Sequence, residues 1–340
     1  MNILSPMPTG NGAYVLHEQL ASRIKGYRMR PYSPWWTLFP AALPAFSSSR
    51  ADLIHSSSDY GLFFKRRRVP LVATVHNYVC DSFMRPYSSR FQYLHYQTDL
   101  RMFTRRTLET ADRVVAISRF MIDRVRDDLG ISVPMRLIYN GVDEQQFTPA
   151  ATSLRRVGAP IRILFCGNLN RRKRPDLLVP LANALGDGFE IHYTEGLAAV
   201  GALHEKPLPS AASLHNLGKV AHANMSEVYR SMDVLFMPSV REGFGLCVAE
   251  AMACGLPVVA ADASALPELV HQGQGGYRCP IDDVAAYARA LKRIAESPEQ
   301  TKRMGEYNRA LVEDRFTLSR MVSEYKMLFE EVMDETGGVR

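Results

Sequence analysis

The stretch REGFGLCVAEAMACGLPVVAAD, residues 241–262, holds two carboxylates where a fold has little structural use for them. Glu250 stands in the middle of an Ala/Val/Met/Cys helix, and Glu242 stands just before a Gly-Phe-Gly turn. The helical pattern starts near Leu246 and stops at Gly255, ahead of a buried strand over 257–261. Gly243 and Gly245 let the backbone pass close to a ligand and adopt positive φ. The free amides at the helix start form an anion site suited to a diphosphate. Glu250, four residues after Leu246, lies on the same helix face and one turn deeper. A vicinal diol such as ribose could donate to both of its oxygens, which removes the problem of a lone buried charge. Glu242 would reach the other end of the same ligand. A polar surface stripe is the plain alternative, but positions 246–254 are apolar except at 250.

A second concentration of charge lies in GNLNRRKRPDLL, residues 167–178, directly after an expected strand. Three consecutive cations, Arg171, Arg172 and Lys173, are costly there unless something anionic offsets them. An anionic ligand group such as a diphosphate is the obvious partner. His76 emerges from the apolar strand PLVATVH; a lone histidine after a strand is more often structural than chemical. PTGNGAY puts Gly10 and Gly12 in the first loop, a Gly-x-Gly that any tight turn could use. No Asp-x-Asp occurs, so the divalent-metal clamp built on it is missing and metal-independent chemistry is expected.

These residues need a scaffold that gathers strand ends and helix starts. Both halves of the 340-residue chain alternate β-rich runs with helical patterns, the signature of parallel α/β sheets. In the first half, strands are expected at 2–5, 52–55, 70–76, 112–117 and 135–139. Helices are expected over 13–25, 58–67, 91–110 and 118–129, and the Pro-, Ser- and aromatic-rich residues 31–49 read as a long loop. A polar linker over 148–160 opens a second cycle, with strands at 161–166, 189–193, 213–217, 233–237 and 257–261. Helices close the chain from 281 to 335. The expectation is two Rossmann-like domains across a cleft, with ligands beyond the C-terminal ends of the strands.

EGFGLCVAE followed by AMACGLPVVA resembles the E-x7-E region of the retaining glycosyltransferases of family 4, which share the GT-B fold. The resemblance covers nearly the whole chain. It implies an acceptor-side domain over 1–150, a nucleotide-sugar domain over 151–315, and a helix over 316–340 returning to the first domain. It also implies that Glu250 binds the nucleotide ribose and Glu242 the donor-sugar hydroxyls. The backbone from Phe244 through Leu246 to Cys247 would touch sugar and phosphate. Lys173 matches the family's diphosphate lysine, but Asn168 stands where its arginine usually sits, so either Arg172 supplies that charge or the diphosphate clamp is weaker. By the same likeness His76 faces the donor sugar and hydrogen-bonds a hydroxyl rather than acting as general base. Gly10 and Gly12, split by Asn11, replace a Gly-Gly pair that approaches the diphosphate and acceptor. The backbone at Lys219 and Val220 would seat the base. ADASALPEL places Ser264 and Ala265 at two usual glycines, while Glu268 matches. The implied donor is a UDP- or GDP-linked sugar, with no cofactor. The acceptor would be a saccharide or lipid-linked intermediate of cell-surface polysaccharide, lipopolysaccharide or glycolipid synthesis.

Composition narrows the alternatives. The net charge of +6 is uneven: residues 1–150 hold 19 Lys/Arg against 12 Asp/Glu, and the remainder holds 22 against 23. A basic first half suits either a solvated face or an anionic partner such as a phospholipid surface. WWTLF, residues 35–39, would be core, acceptor-pocket lining or an interfacial anchor beside it. FFKRRR, residues 63–68, is expected at a helix end, where its charge meets the helix dipole. No apolar run nears the roughly 20 residues a membrane span needs. The N-terminus lacks the basic-then-apolar pattern of a secretory signal. Five cysteines without paired spacing read as reduced core thiols, so a cytoplasmic protein is expected, peripheral on the membrane if bound there. A nucleotide-sugar epimerase would need further acid/base groups that cannot be placed. An oxidoreductase would need a third glycine after Gly12, and the moderate, interleaved charge argues against nucleic acid.

Overall fold

The computed structural model describes residues 1–10, 12–150, 159–195 and 214–337. The chain divides into two compact units, residues 1–140 with 319–340, and residues 141–318. Each unit is built on one six-stranded sheet whose strand pairs are all parallel. This is the two-domain α/β arrangement of the GT-B class.

In the first unit β1 (Ile3–Pro8), α1 (Gly12–Arg23), β2 (Tyr27–Tyr32), β3 (Leu53–Ser57) and β4 (Leu71–Val75) come first. A long helical stretch follows: α2 (Arg90–His95), a π turn over Tyr96–Leu100, and α3 (Arg101–Thr110). Then come β5 (Arg113–Ala116), α4 (Arg119–Leu129) and β6 (Met135–Leu137), giving the order β2-β1-β3-β4-β5-β6. β4 is buried at every position, as a central strand of a parallel sheet should be. α4 starts where the Ser118 hydroxyl accepts the Met121 amide and ends at Gly130, φ 61°.

Three expectations in this unit are corrected. β2 was not foreseen, because YRMRPY carries two arginines and a proline; an edge strand tolerates all three. The helix expected over 58–67 is only a 3-10 turn at Gly61–Phe63, so FFKRRR ends no helix of its own. Instead Lys65 donates to the Thr110 carbonyl at the end of α3, and Arg66 donates to the Pro44 carbonyl. Residues 31–49 are largely two 3-10 segments, Pro34–Leu38 and Pro40–Phe46. They leave Trp35 65% and Phe39 68% exposed, which excludes the core reading of WWTLF.

The second unit contains β7 (Ile161–Phe165), α5 (Leu178–Leu185), β8 (Phe189–Tyr193), β9 (Leu214–Asn216), α6 (Met225–Arg230) and β10 (Val234–Met237). It continues with α7 (Leu246–Ala253), β11 (Val258–Ala261), α8 (Leu266–Leu269), β12 (Gly276–Cys279), α9 (Val284–Glu296) and α10 (Pro298–Arg315). The sheet order is β12-β11-β10-β7-β8-β9. β12 escaped the sequence reading because it opens on Gly276, where a Cβ would lie 1.9 Å from the Val258 carbonyl oxygen. Most of the linker expected over 148–160 lies outside the described residues. Residues 141–150 pack in this unit, not the first: Arg309 donates to the carbonyls of Phe147 at 2.6 Å and Glu144 at 3.2 Å. The last helix, α11 (Leu318–Gly337), returns to the first unit, where Tyr325 and Phe329 pack on the His55 ring.

Candidate active site

In the second unit the site grows from the C-terminal ends of β7 and β10, neighbours in the sheet. The two loops that follow are tied at the backbone, where the Val240 amide donates to the Arg172 carbonyl at 2.9 Å. The first loop closes into a 3-10 turn, Arg171–Lys173, because the Asn170 side chain accepts the Lys173 amide at 3.2 Å. Gly167, φ 128°, is required here: a Cβ would lie 3.1 Å from Lys173 Cε. Asn168 is half-buried in this loop, and its carbonyl accepts the Asn170 amide at 2.8 Å.

The second loop delivers the acid. The Glu242 carboxylate lies 2.7 Å from Lys173 Nζ, with both side chains mostly shielded from solvent. Burial by itself would lift the Glu242 carboxyl, but the charges of Lys173 and Arg172 outweigh it and hold it below its ordinary value. For Lys173, burial favours the neutral amine, and the negative charge available at Cys247 and Glu242 reverses the sign, raising it. The pair is therefore fully ionised at neutral pH. The Glu242 amide donates to the Ser264 hydroxyl at 2.9 Å, and Ser264 sits at φ 53°. Serine here adopts the left-handed conformation for which glycine is favoured, and adds a hydrogen bond glycine could not make.

Gly245, φ 101°, ends the second loop and opens α7. Its Cβ would meet Leu269 and Leu266 at 3.2 and 3.3 Å, so conformation and packing both select glycine. The amides of the first turn, at Leu246 and Cys247, have no carbonyl one turn earlier within the helix. Gly243 is half-buried, while Phe244 is only 2% exposed, its ring edge-on to Phe316 at 5.4 Å. Phe244 therefore offers a ligand its backbone and not its ring. Cys247 Sγ lies 3.9 Å from Lys173 Nζ. A hydrogen bond from Cys166, opposed by burial and aided by Lys173, lowers the Cys247 thiol.

Glu250 is 5% exposed, one turn along α7. Two residues missed by the sequence reading hold it: His222 Nε2 at 2.7 Å from one oxygen and the Tyr229 hydroxyl at 2.8 Å from the other. The buried carboxylate thus has protein partners of its own, where the sequence reading looked to a ligand diol to compensate it. Phe147 packs beside both partners, at 5.5 Å from the His222 ring and 6.0 Å from that of Tyr229. His222 follows the irregular segment containing exposed Lys219 and half-buried Val220, after β9.

The remaining expected residues belong to the first unit. Gly10, φ 83°, and Gly12, which opens α1, have nothing within 4 Å of where a Cβ would stand. His76, half-buried just past β4, lies 3.0 Å from His17 through their Nε2 atoms. Burial pushes His76 down to about 3, and pushes His17 and His55 well below the ordinary 6.5. Among the described residues one group could hold a metal: Glu190, His192 and His215, with ligand atoms within 4.8 Å of one another. It lies on β8 and β9 and includes none of the residues above.

The three depressed histidines dictate an acid response. They are neutral when folded and take protons when unfolded, so their stabilisation is complete above about pH 6.5 and is lost as pH falls. Half-buried Asp59 opposes them, because desolvation raises it to about 6 and folding binds its proton first. Three groups outweigh one, and the thermal midpoint is expected to drop between about pH 6.5 and pH 4. A midpoint constant over that range would show that the histidines are not held neutral.

Residues 3–146 match the family described as Glycosyltransferase Family 4, and residues 160–297 the one described as Glycosyl transferases group 1. A D-inositol 3-phosphate glycosyltransferase of Streptomyces bingchenggensis is 32% identical over 57% of this chain and 48% of its own length. An N-acetyl-alpha-D-glucosaminyl L-malate synthase of Bacillus anthracis is 27% identical over 68% and 63%. The chain thus spans about half to two thirds of the length of these curated relatives. Among solved structures, sucrose-phosphate synthase from Thermosynechococcus elongatus superposes with a TM-score of 0.80 at 20% identity, covering 98% of this chain and 100% of its own. Anabaena HepE in complex with UDP-glucose gives 0.77 at 17%, covering 97% and 100%. Two parallel six-stranded sheets in the GT-B class and the two matched segments place this chain in glycosyltransferase family 4.

Proposed function

We propose that the chain moves a hexose-type sugar from a nucleotide diphosphate sugar to an acceptor, with retention of anomeric configuration. The observation that carries this reading is the ionised Glu242–Lys173 pair at the mouth of α7, with Glu250 one turn deeper. Helix amides and Lys173, supported by Arg172, would take the diphosphate as negative charge develops on it. Glu250 would take the ribose hydroxyls and Glu242 the sugar; in the first unit, His76 would hydrogen-bond a sugar hydroxyl. The Lys219–Val220 backbone would border the base. Relatives named for sugar transfer to inositol 3-phosphate and to malate support a small sugar-transfer chemistry, and HepE was solved with UDP-glucose. A UDP- or GDP-linked donor fits this reading, with no cofactor and with charge neutralised by cations and amides in place of a metal.

We further read the acceptor as a saccharide or lipid-linked intermediate met at a membrane surface from the cytoplasmic side. Among the described residues, ten of the eleven exposed large hydrophobics lie in the first unit, led by Trp35, Leu38, Phe39 and Phe91. The basic excess of residues 1–150 lies in the same unit. No helix among the described residues is long and apolar enough to cross a membrane. Interfacial aromatics beside cations suit peripheral contact instead.

The experiment is calorimetric titration of UDP, GDP, ADP and NAD into the chain with EDTA present. One nucleoside diphosphate is expected to bind and NAD is not. Binding of NAD alone, or of nothing until a divalent metal is added, would overturn the reading.

A further inference from the structure

The transfer chemistry leaves a buried chain of hydroxyls and imidazoles in the first unit unexplained. Behind His76, His17 Nδ1 lies 2.7 Å from the Tyr27 hydroxyl and 2.7 Å from that of Ser5. The Tyr27 hydroxyl lies 2.7 Å from His55 Nδ1, and His55 Nε2 lies 2.8 Å from the Thr74 hydroxyl. Thr74 in turn lies 3.2 Å from the Tyr325 hydroxyl. Six elements contribute one member each: Ser5 from β1, His17 from α1, Tyr27 from β2, His55 from β3, Thr74 from β4 and Tyr325 from α11. All six are buried, and burial keeps the imidazoles neutral and the phenols protonated.

A neutral imidazole has one donor nitrogen and one acceptor nitrogen, so a direction set at one end of such a chain runs to the other. Tyr325 sets it. Its phenol is 0% exposed, and Thr74 is its one hydrogen-bond partner among the described residues. If Tyr325 did not donate to Thr74, a buried O–H would be left unmet, which folded proteins avoid. Thr74 then donates to His55 Nε2, His55 donates from Nδ1 to Tyr27, and Tyr27 donates to His17 Nδ1. Ser5 can give its proton to the second lone pair of the Tyr27 oxygen. His17 therefore carries its proton on Nε2 and donates it to His76 Nε2.

We propose that His17 is a positioning residue for His76, and that the chain running from Tyr325 fixes the His76 proton on Nδ1. The Nδ1 edge, which has no protein partner among the described residues, is then an N–H donor and not a base. Only the identity of what it meets, a sugar hydroxyl oxygen, rests on the transfer reading. The selectivity follows: a donor hydroxyl that can accept at this point is held, and a ligand offering only a donor there is refused.

The test is two-bond nitrogen–proton correlation spectroscopy of the full chain carrying isotope-labelled histidine, at neutral pH and without nucleotide. His76 signals are identified by their loss in His76→Gln. The expected result is a proton on Nδ1 of His76 and His55 and on Nε2 of His17. A proton on Nε2 of His76 overturns the proposal. Thr74→Val keeps the shape and cuts the chain, so the two His76 nitrogen shifts should move toward each other as the tautomers mix. Unchanged shifts in that variant would show that Tyr325 does not set the direction, and would overturn it equally. Neither spectrum needs a nucleotide or an acceptor, so failure of the transfer reading would leave this result intact, and the reverse holds.

Discussion

Glu250→Ala is expected to weaken nucleoside diphosphate binding by about 10- to 100-fold, read by calorimetry. Hydrogen bonds to a charged group contribute about 1.5–3 kcal/mol, and each 1.4 kcal/mol is about tenfold in affinity. The substitution has a second effect, because the Tyr229 hydroxyl and His222 Nε2 lose their common acceptor. Tyr229 is fully buried, and its O–H, left with only the weak Cys166 sulfur acceptor at 3.5 Å, should destabilise the second unit by about 1–2 kcal/mol. Glu250→Gln separates the two effects: its amide oxygen still accepts from Tyr229, while the charge is gone. It should melt closer to the parent and bind nucleotide between the two. Equal nucleotide affinity in the parent and Glu250→Ala would remove Glu250 from the ligand.

Lys173→Met is expected to be the more damaging change. It strands the Glu242 carboxylate, at 14% side-chain exposure, beside an apolar side chain, for which about 3 kcal/mol of destabilisation is typical. The Glu242 carboxyl, held below its ordinary value chiefly by Lys173, should rise, with Arg172 and Ser239 left to oppose burial. Transfer should fall by about two to three orders of magnitude, the loss seen when one group stabilising transition-state charge is removed. The double variant Lys173→Met with Glu242→Gln is the discriminating one. Removing both charges should restore most of the stability, because the stranded ion is gone, and should restore none of the transfer. Recovery of transfer in the double variant would make the pair structural only.

How much of this was legible depends on how local each signal is. Gly243, Gly245 and the apolar run from Leu246 announce α7 within a dozen residues, so Glu242 and Glu250 stood out against them. β8 falls on the expected residues 189–193 for the same reason: a short β-rich run bounded by glycine. β2 and β12 were hidden by arginines, a proline and a glycine that only their places in the sheets explain. The partners of Glu250 lie 28 and 21 residues away on other elements, and nothing at His222 or Tyr229 advertises a carboxylate. Lys173 was visible as part of a basic run, but its selection of Glu242 rests on a contact between two loops 69 residues apart. Ser264 read as a departure from a glycine and proves to hold the glycine-like φ. The chain behind His76 is the extreme case, with its members drawn from positions 5 to 325.

The return of α11 to the first unit has a consequence for how the chain is made. Tyr325, Phe329 and the buried face they present are part of the first unit, yet the ribosome reaches them only after all of residues 141–318. At about 5–20 residues per second, the first sheet waits on the order of 10–35 s for its last helix. The second unit, continuous in sequence, has every residue it needs before then. The first unit therefore cannot finish ahead of the second, and a chain cut between Leu318 and Tyr325 would hold a complete second unit joined to an unfinished first one.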